Sequence, residues 1–327
     1  MEEIHDNLYM ITLPMPFRLM HVHAFIAVDD GEITLLDTGL NTPETFVLLE
    51  ESLKRIGKTT HDIKRIFITH YHIDHCGMAG RLQNISGARI HMSEQSRPFI
   101  LMRDREEFLF VDRIRDFCLI HGLPEKTIDF ISGLFLTFKK AGSFFHIDEF
   151  FPAAGKDIVG GKEMQVIPTP GHTHDHVSFY FPQERILLAG DHVLPEITPN
   201  LSPDLFAPEF RPLRSYLDSL ALMEALPVEK VYPAHGRPFS NLKGRIAAIY
   251  DHHAIRKRIT CESVQRETKT AFVVSQDIFG PDLSEFDQFL ALNETYVHLI
   301  ELIREGLIRE ERVAGQVCYM HCDNQSG

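Results

Sequence analysis

The chain has 327 residues, 44% hydrophobic and 24% charged, as expected of a soluble globular protein with one large domain and a smaller one. A formal net charge of −13 disfavours bulk attraction to nucleic acid or to an anionic membrane, without excluding a local basic face. No stretch approaches the roughly 18 consecutive apolar residues of a membrane span. The acidic start Met1-Glu2-Glu3-Ile4 lacks the basic and apolar regions of a signal peptide. Five scattered cysteines form no disulfide framework, which makes a reducing cytoplasm the expected location.

Leu8 to Leu13 and His23 to Val28 read as antiparallel strands, and Asp29-Asp30-Gly31 as the turn into a returning strand, Glu32 to Asp37. Pro43 to Ile56 follows as an amphipathic helix, with Thr42 as its cap and Gly57 at its end. The apolar run Ile66-Phe67-Ile68 is short and β-branched enough for a buried strand. It opens into Thr69 to Gly77, where His70, His72, Asp74 and His75 fall within six positions. Imidazole and carboxylate suit zinc or iron(II), and the absence of thiolates argues against a closed structural zinc site. Asp74 to Leu82 is expected to be helical, and Ala88 to Met92 a short strand.

Between about residues 94 and 150 the pattern becomes helical and rich in phenylalanine, including Phe99, Phe108, Phe110 and Phe117. This insertion is longer than an ordinary connection. It reads as a satellite core or a homodimer interface, or as a lid lining an apolar pocket. The β pattern resumes at Phe151, with a turn at Gly160-Gly161-Lys162 and strands Glu163 to Pro168, Val177 to Phe181 and Arg185 to Ala189. A helix from Leu213 to Leu226 precedes the strand Lys230 to Pro233. Four strand ends thus each deliver polar groups: the His70–His75 loop, His172, Asp191 and His235.

With Asp37, which reads equally as a supporting group or a strand-end cap, these residues resemble the five recurring motifs of the metallo-β-lactamase superfamily, all intact between about Leu8 and Arg245. The resemblance implies an α/β fold, a four-layer αββα sandwich with metals at one edge of the paired sheets. It also implies two divalent cations, zinc with iron or manganese as alternatives. By the family pattern His70, His72 and His172 hold the first, Asp74, His75 and His235 the second, and Asp191 bridges both. Alternate residues His70 and His72 on a loop leaving a strand point the same way, which agrees with that allocation. A bridging carboxylate lets two cations sit roughly 3.5–4 Å apart and acidify a shared water. The implied mechanism is hydrolysis by a metal-bridging hydroxide, with Asp74 orienting the nucleophile. His174, His176 and His192 lie beside proposed ligands and read as supporting or surface groups. The family's flavin-linked diiron branch carries glutamate where this chain has His72, so oxygen reduction is disfavoured.

Beyond about residue 246, predicted helices 241–267, 271–279 and 290–305 and a hairpin turning near Ala314-Gly315 resemble a winged-helix-like domain, which gives a division at 1–245 and 246–327. Such a tail occurs in a branch that includes lactamase-like endoribonucleases, though a packing or dimerisation role is the simpler reading. Arg256-Lys257-Arg258, with His252 and His253, is the densest basic patch; it reads as a solvated helix face or as a site for an anionic substrate tail. Cys318 and Cys322 flank His321 as a metal clip or a frayed tail. Acidic balance and the phenylalanine-rich insertion favour a small-molecule substrate with an apolar part, a thioester, lactone or related ester. The alternative is a phosphodiesterase or endoribonuclease. A non-catalytic module is the weakest option, because all seven ligands are present.

Overall fold

The computed structural model describes residues 1–16, 18–103, 109–151 and 155–322. Phe108 and residues 323–327 of the expected C-terminal unit lie outside the described residues. Seven strands form the first sheet in chain order: β1 (Glu2–His5), β2 (Leu8–Pro14), β3 (His21–Asp29), β4 (Glu32–Leu36), β5 (Ile63–Phe67), β6 (Arg89–Ser93) and β7 (Glu149–Phe151). Hairpins make the first four antiparallel, and helical crossovers make β4 to β7 parallel. The second sheet has the order β12 (Lys230–Pro233), β11 (Ile186–Gly190), β10 (Val177–Phe181), β9 (Lys162–Pro168) and β8 (Lys156–Val159).

Period-two alternation sorts each strand between two cores. In β3, Phe25 and Ala27 face the second sheet, where they meet Phe179, Phe181 and Leu188. Val22, Ala24 and Ile26 point the other way, under α1 (Pro43–Arg55) and α3 (Ala79–Ser86). In β10 and β11, Tyr180, Leu187 and Ala189 form a third core with α7 (Pro212–Glu224) and α8 (Leu242–Ser263). The expected αββα layering is therefore present. Its two sheets bring the C-terminal ends of β4, β5, β11 and β12 to one edge.

The insertion folds as α4 (Arg97–Arg103), α5 (Leu109–Ile120) and α6 (Glu125–Ala141). The C-terminal segment adds β13 (Lys269–Thr270), α9 (Ala271–Phe279), α10 (Glu285–Arg304), β14 (Ile308–Val313) and β15 (Gln316–His321). Both pieces share one apolar core. Ile114, Phe117, Ile128 and Ile131 of the insertion pack with Phe272, Phe289, Leu299 and Tyr319. The Tyr319 hydroxyl reaches His121 Nδ1 at 3.2 Å.

Several boundaries differ from the sequence reading. The acidic N-terminus is a strand, β1, tolerated at a sheet edge where Glu2, Glu3 and His5 face solvent. The expected helix 74–82 is split into α2 (Ile73–Cys76) and α3, because the Met78 N–H donates to Gly39 O at 3.1 Å while Gly77 O accepts from Ser143. α10 begins at Glu285 rather than Leu290, capped by Ser284, whose Oγ accepts the Asp287 N–H. Cys318 is buried within β15 instead of in a frayed tail, and no described residue near it completes a cation-holding group with it. None of the five cysteines is in a disulfide.

The shared core predicts coupled behaviour. Phe117, 7% exposed and edge-on to Tyr296 of α10 at 5.0 Å, joins the two pieces. Phe117→Ala should cost about 3–5 kcal/mol in urea unfolding. It should also raise hydrogen exchange in α5 and α10 together; faster exchange in α5 alone would show that the cores are separate.

Candidate metal centre

The residues singled out at the strand ends converge in two groups. His70 Nε2 and His172 Nε2 each lie 3.0 Å from His72 Nδ1, and Asp191 Oδ2 lies 3.4 Å from His172 Nε2. On the other side, Asp74 Oδ2 lies 3.4 Å from His235 Nε2 and 3.7 Å from His75 Nε2. Asp191 Oδ1 is 3.3 Å from His235 Nε2 and 3.4 Å from His75 Nε2. The two oxygens of Asp191 thus face one group each. His75 Nε2, His235 Nε2 and Asp191 Oδ1 are buried with no hydrogen-bond partner among the described residues. Stranding three such atoms in one place is costly, and a divalent cation between them would satisfy all three together. The residues present fit a metal.

Four of the five rings, His72 excepted, are aimed by their other nitrogen. His70 Nδ1 meets Thr69 Oγ1 at 3.1 Å, His172 Nδ1 donates to Asn200 O at 2.8 Å, and His235 Nδ1 donates to His21 O at 2.7 Å. Both partner oxygens of the last two are carbonyls and can only accept, which leaves Nε2 of each neutral ring as a lone pair. Asp37 does the same for His75, across 2.8 Å to Nδ1, while its carboxylate also accepts from Thr69 N and Oγ1. His176 was grouped at sequence level with supporting or surface groups. It takes the Asp191 N–H on Nε2 at 3.1 Å and meets Thr169 Oγ1 at 2.7 Å. His192 is fully buried beside His176 and edge-on to Tyr216 at 5.0 Å, one layer behind the donors. His174 lies outside the cluster, stacked on Phe210 at 4.4 Å and 3.5 Å from Asp204. Asn200 and His21 act through backbone carbonyls, which leave no mark on a sequence.

The two groups differ in proton load. Burial lowers His70 and His172 and takes His72 to about 3, with neighbouring imidazoles adding to it. In the second group burial acts in the same direction but is outweighed. Asp74, Asp37 and Asp191 hold His75 well above its ordinary value, and Asp191 with Asp74 raises His235 to about 10. Burial would raise the carboxyls, yet His75 and His235 hold Asp74 at about 2 and Asp191 well below the usual range.

An aromatic run begins beside these donors. Tyr71, between His70 and His72 in sequence, stacks on Phe99 of α4 at 3.8 Å. Phe99 meets Phe110 at 5.7 Å, and Phe110 continues to Phe206 at 5.9 Å and Phe135 at 5.3 Å. Phe99, Phe110, Phe135 and Phe206 are all half-buried. Phe110 and Phe135 also pack against the core shared with the C-terminal segment, so the run links that core to Tyr71, beside His72. Arg256, Lys257 and Arg258, by contrast, are engaged with Phe279, Glu305 and Glu262 on the surface of α8.

The family model described as the metallo-beta-lactamase superfamily matches residues 18–235. The chain belongs to the metallo-beta-lactamase superfamily. Its similarity extends over nearly the whole length of a Bacillus subtilis protein described as "Probable metallo-hydrolase YqjP", 27% identical over 93% of this chain and 94% of that one. A Caenorhabditis elegans "Beta-lactamase-like protein 2 homolog" is 25% identical over 90% of this chain and 83% of its own. An Aspergillus terreus protein named "Atrochrysone carboxyl ACP thioesterase" is 23% identical over 77% of this chain and 61% of its own. Among solved structures, the metallo-beta-lactamase family protein TTHA1429 of Thermus thermophilus superposes with a TM-score of 0.85 at 27% identity, covering 98% of this chain and all of that one. With relatives named as hydrolases, this superfamily member is a metal-dependent hydrolase. No helix among the described residues is long and apolar enough to cross a membrane.

The raised histidines fix a pH dependence. Because His235 titrates near 10 in the fold and near 6.5 when unfolded, its contribution is complete below about 6.5 and is lost as pH rises towards about 10. His75 is shifted in the same direction. The urea midpoint of chelator-treated protein should therefore fall between pH 6.5 and 10, and His235→Gln should flatten that slope. An unchanged slope in the variant would contradict the assignment.

Proposed function

We propose that the chain is a dinuclear hydrolase of small acyl compounds, thioesters first, with lactones and related esters as further substrates. The observation that carries this reading is the meeting of the two donor groups on Asp191 at the foot of the aromatic run from Tyr71. In it, His70, His72, His172 and Asp191 would hold one divalent cation, and Asp74, His75, His235 and Asp191 the other. The imidazole and carboxylate set suits zinc, with iron or manganese as alternatives. When bound, such cations supply Lewis acidity and lower the pKa of water.

The chain's own residues do the rest. Tyr71, Phe99 and Phe110 receive the apolar part of the acyl group, which brings its carbonyl beside His72. Asp74 directs Oδ2 at His235 Nε2, 3.4 Å away, and its other oxygen orients the attacking water. Asp37 holds His75 in one tautomer, and His176 holds the Asp191 backbone. A net charge of −13 and the surface pairing of Arg256, Lys257 and Arg258 support a small substrate over RNA. The name of the Aspergillus relative supports a thioester. Cysteines without disulfides suit a reducing, cytoplasmic setting. The C-terminal helices and hairpin serve as a winged-helix-like packing unit for the insertion.

Two measurements test this. Zinc-loaded protein should turn over acyl-thioesters with a preference for longer acyl chains, Asp191→Ala should abolish that turnover, and Phe99→Ala should raise KM for long chains more than for acetyl. Cleavage of single-stranded RNA that depends on Asp191, with no ester turnover, would overturn the reading. Separately, Asp37→Asn should weaken zinc affinity by about 10–100-fold, as loss of a ligand's supporting partner does. Competition with a chromophoric chelator reads this directly; an unchanged affinity would remove Asp37 from the scheme.

A further inference from the structure

A second group of ligand-type side chains lies away from the metal centre, where α8 meets α10. His252 and His253 come from α8, and Glu294 and His298 from α10. His253, Glu294 and His298 are 2%, 7% and 1% exposed, and His252 is half-buried. Glu294 Oε1 lies 3.9 Å from both His252 Nε2 and His253 Nδ1, and 4.0 Å from His298 Nδ1. Those distances are too long for hydrogen bonds. Glu294 Oε1 is indeed buried without a hydrogen-bond partner among the described residues. A buried carboxylate oxygen left bare is expensive.

The imidazoles do not neutralise it in the ordinary way. His298 Nδ1 donates to Glu294 O at 2.7 Å, so the Nε2 of the neutral ring is a lone pair. That lone pair faces His253 Nδ1 at 3.2 Å, a close ring-nitrogen contact like those joining His70, His72 and His172. Burial depresses His253 to about 3 and also lowers His298, so both rings stay neutral at physiological pH, while Glu294 stays ionised. Arg256, the next basic side chain along α8, is held over Phe279 at 4.2 Å. One carboxylate and neutral imidazoles around a shared gap make a cation site of the zinc type. Ligands about 2.1 Å from a tetrahedral ion stand about 3.4 Å apart, so Glu294 Oε1, 3.9 Å from both His252 Nε2 and His253 Nδ1, needs to draw only about half an ångström nearer to each.

We propose that His252, His253 and Glu294 bind a third divalent cation, joined by His298 Nε2, and that this cation staples α10 to α8. On binding, the His253 proton moves from Nδ1 to Nε2, which frees Nδ1 for the cation. The half-exposed His252 provides the entry. The site bears on the catalytic edge through α10. Asn200, whose carbonyl fixes His172, donates its side-chain amide to Leu290 O of that helix at 2.9 Å. This inference is independent of the substrate and of the two-cation reading.

The test counts metal in a background that cuts each catalytic group to two histidines, His72→Ala/Asp74→Ala/Asp191→Ala. After zinc loading and desalting, native mass spectrometry should find one zinc per chain in that background, and zinc should raise its melting temperature. Adding Glu294→Gln or His252→Ala should remove the bound zinc and the thermal response. No zinc in the background, or zinc undiminished by both substitutions, overturns the proposal. Should the background fail to fold, the native chain is compared with His252→Ala, which should hold one zinc ion fewer per chain; equal counts overturn it. Loss of thioester turnover with an intact third zinc would bear on the acyl-hydrolase reading alone.

Discussion

At the end of β4 the chain places an acidic residue, Asp37, in a left-handed conformation with φ at 58° and only 3% of it exposed. Its peptide N–H donates to Phe67 O at 2.8 Å, and its carboxylate accepts from Thr69 N and Oγ1 and faces His75 Nδ1. Aspartate tolerates that backbone better than most residues, and the buried charge needs every one of these partners. Three segments are thereby fixed against one another: the end of β4, the exit of β5, and α2. Thr38 reinforces the junction by donating through both N and Oγ1 to His75 O. Once that knot is tied, His75 Nε2 has one direction left to point, towards Asp74 and Asp191.

Around this anchor the site is built with unequal charge on its two sides. Three imidazoles for which burial outweighs the nearby carboxylates stay neutral, whereas two imidazoles more closely enclosed by carboxylates hold protons strongly. Asp191 belongs to both sides, and its placement is set by a backbone contact: the N–H that follows β11 is taken by His176. Gly190, with φ at 55°, makes that contact workable, since a β-carbon there would stand 2.6 Å from His176 Nε2.

Much of this was legible in the sequence because strands advertise themselves. Ile66-Phe67-Ile68 and Leu187-Leu188-Ala189 are apolar runs that stop abruptly at polar residues, and the seven donors all sit at or just beyond such stops. Asp37 was visible too, though its sequence neighbours left a cap and a supporting role equally open. What stayed hidden acts through the backbone or across the chain. The carbonyls of His21 and Asn200 carry no side-chain signature, and His176 looks like any histidine near a ligand until its ring meets the Asp191 N–H. The break between α2 and α3 is set by Gly39 and Ser143, both distant in sequence. The core shared by insertion and tail could not be read from either, because each alone shows only an amphipathic pattern whose partner is unspecified.

The single residue Asn200 has a consequence for the order of events during synthesis. Its carbonyl orients His172 and its amide leans on Leu290, a residue made long after His235. A ribosome that has passed Gly236 has already made all seven residues expected as ligands, yet the segment carrying Asn200 still has no α10 to rest on. The contact between Asn200 and Leu290 therefore forms only once α10 has been made.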